Sequence, residues 1–167
     1  EECGVDIEPT EDDILKYQLW EEQSHICLYT GQTIGISDFI GANPRFDIEH
    51  TIPRSRGGDN SQMNKTLCDS NFNRDVKKGK LPAELANQAD VLARIEQLGW
   101  EDRCEDLHKQ IERTKGSFST KEIKDAMIQK RHRLMMELDY WKGKLARFTM
   151  TEIPEGFNNR QSVDIGI

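Results

Sequence analysis

Asp47, Glu49 and His50 fall within four consecutive residues, Asp-Ile-Glu-His, and Asn64 and Asn73 follow at intervals of fourteen and nine. A neutral imidazole has its pKa near working pH and can take a proton from an attacking water. A magnesium ion takes oxygen ligands, keeps several waters, and needs only one or two protein groups beside a phosphate. A carboxylate and an Asn amide oxygen meet that demand. The combination suits hydrolysis of a phosphodiester: a water must lose a proton, and the charge growing on the phosphate and on the leaving oxygen must be neutralised. Taken singly, each residue has a plainer reading. A strand His is often just a satisfied polar group, Asp and Glu two apart are often the wet face of a strand, and Asn often caps a turn. The grouping is what points to chemistry.

The charge distribution favours the same stretch. The whole chain of 167 residues has a formal charge of −7, which argues against a nucleic-acid partner. Residues 1–44, however, hold ten acids against one Lys, whereas 45–80 hold eight Lys or Arg against five acids. The one clearly basic region therefore contains the candidate site. Its Arg54, Arg56, Lys65, Lys77, Lys78 and Lys80 are candidates for phosphate contacts that ignore base sequence; the plainer role is to balance nearby acids. Cys3, Cys27, Cys68 and Cys104 form no CxxC pair, so they read as reduced, mostly buried thiols of a cytoplasmic protein, with no zinc clip. No apolar run approaches the length of a membrane span, and no membrane partner is expected. The chain opens without Met and ends without an evident stop, which reads as a piece of something longer.

The elements that must position these residues are short. Thr10 with Asp13 makes a capping box for a helix to about Gln23. Ile26-Cys-Leu-Tyr29 reads as a short strand and Thr30-Gly-Gln32 as a turn. Phe46–Ile52 alternates like a strand and is stopped by Pro53. Arg54–Asn60 is a turn-rich loop, and Lys65–Cys68 a second strand. Asp69 or Ser70 caps a helix through Asn73 to about Lys78, ended by Gly79. After Pro82 the pattern is helical: 83–98, 100–114, and a long helix capped by Ser119 or Thr120. Its stripe of Ile123, Met127, Leu134, Leu138, Trp141, Leu145 and Phe148 predicts one buried face. Pro154 and Gly156 mark a linker.

The stretch Asp-Ile-Glu-His-Thr-Ile-Pro-Arg-Ser-Arg-Gly-Gly-Asp-Asn, followed by Asn-Lys-Thr-Leu and by Asn73, resembles the HNH endonucleases, in particular the HNH domains of type II CRISPR RNA-guided endonucleases, which carry Asn at the third position. Cys27-Leu-Tyr-Thr-Gly resembles the segment before the catalytic strand of those domains. Lys78-Gly-Lys followed by Leu-Pro-Ala-Glu-Leu resembles the stretch after their catalytic helix, and Phe157–Asp164 resembles their linker to a second nuclease domain. The resemblance covers 26–85 and, more loosely, 157–164. It implies that His50 is the general base, that Glu49 and Asn73 are metal ligands and catalytic, and that Asn64 holds the loop that positions the strand of His50. Asp47 falls at a second acidic position and is a further metal candidate. Glu stands at 49 where the family usually has Asp, which lengthens the carboxylate by one methylene.

The expected fold is α+β: a ββα-metal core with a mainly helical elaboration. The expected segments are 1–25 as linker and helix, 26–80 as the HNH core, 81–150 as helical elaboration, and 151–167 as a linker back to a second nuclease domain. The resemblance implies Mg²⁺ as cofactor, with Mn²⁺ able to substitute, and no zinc. It implies target-strand DNA paired with guide RNA as partner, together with the rest of a parent effector, in a prokaryotic cytoplasm; a bound inhibitor protein is left open. The rivals are a free-standing HNH restriction or homing enzyme and a non-catalytic helical interaction module. A regular strand also poses a geometric question: Glu49 and His50 should point to opposite faces.

Overall fold

The computed structural model describes residues 10–154. Cys3 and the segment expected to lead into a second nuclease domain, 157–164, lie outside them.

Helix α1 (Glu11–Glu22) begins where its cap predicts: Asp13 N–H donates to Thr10 Oγ1 at 3.1 Å and Thr10 N–H donates to Asp13 Oδ2 at 3.0 Å. Two orphan amides are thus satisfied reciprocally. The expected strand over Ile26–Tyr29 is reduced to a single bridge, Ile26 with Thr33, because the chain turns at once through Gly31 at φ +78°. The only two-stranded sheet among the described residues pairs β1 (Phe46–His50) with β2 (Lys65–Asp69), antiparallel, with Glu49 opposite Thr66 and His50 opposite Lys65. The outer edge of β2 is capped by a side chain instead of a third strand. Buried Gln23, at the end of α1, accepts from Leu67 N–H at 2.7 Å and donates to Leu67 O at 2.9 Å. An unpaired buried strand edge would be costly, and one amide side chain supplies both missing bonds.

After β2, Asp69 caps a single α-helical turn, α2 (Ser70–Phe72), through Phe72 N–H at 2.9 Å. The chain then widens into a π-helical turn over Asn73–Lys77 and leaves it at Lys78, whose φ of +46° is left-handed. The sequence predicts an ordinary helix here; such widened turns concentrate at functional sites.

The rest is helical, so the molecule is α+β. Helices α3 (Gln88–Leu98), α4 (Trp100–Arg113) and α5 (Lys121–Ala146) follow in order. Gly99, at φ +75°, both ends α3 and precedes α4. The core joins these helices to the sheet: Leu19, Phe46, Leu67, Val91, Trp100, Leu107, Leu138, Trp141 and Phe148 lie in one cluster. The α5 stripe is buried only from Leu138 onward. Ile123 is 42% exposed, and among Lys121–Lys130 only Met127 is even half-buried. The physical reason is length. Arg131 reaches Thr114, just past the end of α4, with bonds of 3.0 and 2.9 Å, so the first turns of α5 run past their neighbour. A second small cluster, Ile52 and Leu81 against Ala146, Met150 and Ile153, seats the loop after β1 on the far end of α5.

Candidate active site

The end of β1 is fixed by a loop that folds back on it. Asn64, fully buried, holds that loop through its side chain. Its Oδ1 accepts from Ile52 N–H at 2.9 Å, and its Nδ2 donates to Ile52 O at 3.1 Å and to Asp59 O at 2.8 Å. Its backbone O accepts from Thr51 N–H at 2.9 Å. Gly58 lies so close that a Cβ placed there would sit 1.8 Å from Ile52 O, so only glycine fits. The elaboration reaches the same point. Arg147, buried just past the end of α5, donates from Nε to Asn64 Oδ1 at 3.1 Å and pairs with Asp59 at 3.7 Å. Burial lowers the Arg147 guanidinium to about 10, with Asp59 opposing the shift. Lys144 donates to Lys65 O at 2.7 Å and pairs with Glu22 at 3.1 Å. Two buried cations, one in the last turn of α5 and one just past its end, thereby tie the loop and β2 in place. Neither was anticipated in the sequence. A spacing of three near the end of a helix carried the only signal.

His50 is half-buried at the last position of β1. Its Nε2 lies 3.2 Å from Asn60 Oδ1. An amide oxygen only accepts, so in this contact Nε2 is the donor; in the neutral ring with that tautomer the lone pair is on Nδ1. Asn60 therefore orients the His50 ring, a contact that the sequence reading overlooked although Asn60 closes the quoted loop motif.

Glu49 points the other way, as strand alternation requires, and its carboxylate is wholly buried. Oε1 accepts from Thr66 Oγ1 at 2.6 Å and from Thr51 Oγ1 at 3.4 Å. Oε2 accepts from the Tyr29 hydroxyl at 2.9 Å and faces Lys77 Nζ at 3.0 Å. Burial, and then the Glu49 charge, push the Tyr29 phenol well above its usual range, so it stays protonated and donates. Tyr29 stacks on Phe72 at 5.4 Å, beside Asn73, and this links the bridge segment to the π turn. The signal for Tyr29 lay in Cys-Leu-Tyr-Thr-Gly.

Asn73 opens the π turn, half-buried, and its amide has no hydrogen-bond partner among the described residues. Lys77 closes that turn and brings it against the end of β1: Nζ donates to His50 O at 3.1 Å and to Thr51 O at 3.0 Å. Asp47 sits apart, 54% exposed, with Lys16 at 3.4 Å. Of the six candidate phosphate contacts, Arg54, Lys78 and Lys80 are exposed. Arg56 is engaged with Glu84 at 2.5 Å and with Gly79 O at 3.3 Å. Lys65 and Lys77 are buried, and Lys77 turns its ammonium inward to Glu49, away from any phosphate.

The donor set decides how a divalent metal would fit. Among the described residues no cluster of three or more His, Cys, Asp or Glu could hold one. The one carboxylate next to His50 already has four partners, one of them a cation. As folded here, Glu49, Asn73 and Asp47 do not present a ready site.

Residues 27–83 match the family of HNH endonucleases. Over 75 residues, 45% of the chain, the sequence is 36% identical to the CRISPR-associated endonuclease Cas9 1 of Streptococcus thermophilus. Over 71 residues, 42% of the chain, it is 39% identical to the CRISPR-associated endonuclease Cas9 of Campylobacter jejuni. Each match spans 7% of the relative's own length.

Proposed function

We propose that this chain, whose residues 27–83 are an HNH domain of the kind carried by Cas9 endonucleases, hydrolyses DNA, and that its substrate is the strand paired with a guide RNA. The observation that carries the reading is His50. It is half-exposed at a strand end, with one ring nitrogen tied to Asn60 and the other without a hydrogen-bond partner among the described residues. That is the arrangement of a general base. In this reading Nδ1 of His50 takes the proton of the attacking water. Asn60 holds the tautomer, Asn64 and Arg147 hold the loop that carries Asn60, and the β1–β2 pairing holds the strand. Arg54, Lys78 and Lys80 are the basic groups left at the surface to meet phosphates.

The ββα-metal core is part of the reading: β1, β2 and the turn bearing Asn73 are its three pieces. Mg²⁺ is the proposed cofactor, with Mn²⁺ able to replace it. Glu49 and Asn73 are the proposed ligands, with Asp47 a further acid on the same strand. The proposed partners are the guide-paired target DNA and the remainder of a larger effector, in a prokaryotic cytoplasm. The test is a nicking assay on DNA with wild-type chain, with His50→Ala and with chelator. The reading expects weak nicking that both changes abolish; nicking that persists unchanged in His50→Ala would overturn it.

A further inference from the structure

The Glu49 carboxylate holds a cation already, and that cation belongs to the protein. Lys77 Nζ lies 3.0 Å from Glu49 Oε2, 3.1 Å from His50 O and 3.0 Å from Thr51 O. The two side chains are 1% and 0% exposed. An ammonium has three protons, and here three oxygens take them. One carboxylate and two carbonyls are also the oxygen donors that a hard divalent cation selects.

We propose that Lys77 is the resident cation of this site, and that a divalent ion reaches Glu49 only by displacing the Lys77 ammonium. The inference rests on the nuclease reading only in taking Glu49 as the point of metal entry. Two cations held on one buried carboxylate repel each other with little screening, which sets the divalent ion and the ammonium in competition. The π turn supplies the moving part. It spans Asn73–Lys77 and is followed by Lys78 in a left-handed conformation and by Gly79. A shift of that turn to α-helical register would rotate the residues that follow by one helical step, about 100° in all, and would carry Nζ away from β1. Asn73, at the start of the turn, has an amide without a partner among the described residues, so withdrawal of Lys77 leaves an acid and an amide oxygen on facing elements.

The probe is Mn²⁺ alone, its free concentration followed by electron paramagnetic resonance, with the 167-residue chain and its Lys77→Met variant. Lys77→Met is expected to bind Mn²⁺ at least about tenfold more tightly than wild type, because the buried carboxylate then lacks its counter-ion. The gain should vanish in Glu49→Gln/Lys77→Met. Equal or weaker binding by a folded Lys77→Met chain overturns the proposal, as does a gain that survives in the double variant. Should Lys77→Met fail to fold, wild-type chain labelled with ¹⁵N-lysine decides. The Nζ resonance of a buried, hydrogen-bonded Lys77 should be visible without metal and lost as Mg²⁺ is added. Saturating Mg²⁺ that leaves this resonance in place contradicts displacement. Neither readout uses DNA cutting, so a failed nuclease reading and a failed displacement are told apart.

Discussion

At the scale of single residues, the site is a contrast between two neighbours. His50 faces outward with one nitrogen unpartnered among the described residues, and Glu49 faces inward with both oxygens engaged. Alternation along a strand makes that contrast unavoidable. Asn60 and Asn64 act on opposite sides of the same loop and should fail differently when removed. Asn60 is exposed, so Asn60→Ala should leave stability nearly unchanged. It should slow cutting by about tenfold to a hundredfold through a misplaced imidazole, while Asn60→Asp, which keeps the acceptor, should retain most of the rate. Steady-state nicking rates beside urea melts check the pair. Asn64→Ala removes an acceptor from Ile52 N–H and from Arg147 together. With those groups buried, it should cost about 3 kcal/mol of stability, read as a lower urea midpoint.

At the scale of elements, the loop between β1 and β2 is the part that tolerates least. Gly58→Ala would drive a Cβ to 1.8 Å from the carbonyl of Ile52, which is backbone and cannot move aside cheaply. It should destabilise the chain by about 2–3 kcal/mol, measured by thermal melting, and slow cutting in proportion to the displaced Asn60. These elements were legible to different degrees. The capping box of α1, the two paired strands and the starts of α4 and α5 could be read from local signals, since caps and alternation act over four or five residues. The likeness to HNH endonucleases could be read because the residues that carry it cluster in sequence. Four things could not. The Ile26–Tyr29 segment has strand composition, yet the turn at Gly31 leaves it one bridge, and Gln23 takes the sheet edge instead. The π turn depends on where Lys77 finds its acceptors, which is a tertiary matter. The stripe of α5 has the right period over its whole length, but period cannot say where the neighbouring helix stops. Burial of Lys65 and Lys77 was hidden for the same reason: a Lys in a basic stretch reads as a surface charge until its surroundings are known, and for Lys77 these include Glu49. Neutralising Arg54, Lys78 and Lys80 together should therefore slow cutting on all DNA sequences alike and flatten its salt dependence by up to about three phosphate contacts. A shift in sequence preference would contradict a phosphate role.

At the scale of the whole molecule, a net charge of −7 opposes approach to DNA, and the basic stretch must work without long-range steering. The wild-type chain alone should accordingly be a slow nuclease with no preferred site. In a larger effector, docking on the guide–target duplex would supply proximity, which is worth up to about 7–11 kcal/mol of barrier when orientation is good. The helical elaboration contributes by holding the loop through Lys144 and Arg147. Fast cutting at one defined site by the chain alone, seen in a plasmid assay, would favour a free-standing restriction enzyme. The central claim is that His50 is the base for one strand only. Its most direct measurement is strand-resolved cleavage of a guide-matched duplex by a full-length parent protein carrying His50→Ala. The account predicts that the guide-paired strand stays intact, its cutting slowed by about 10²–10⁴ or more, while duplex binding and cutting of the other strand continue. Cleavage of the guide-paired strand at the wild-type rate would contradict it.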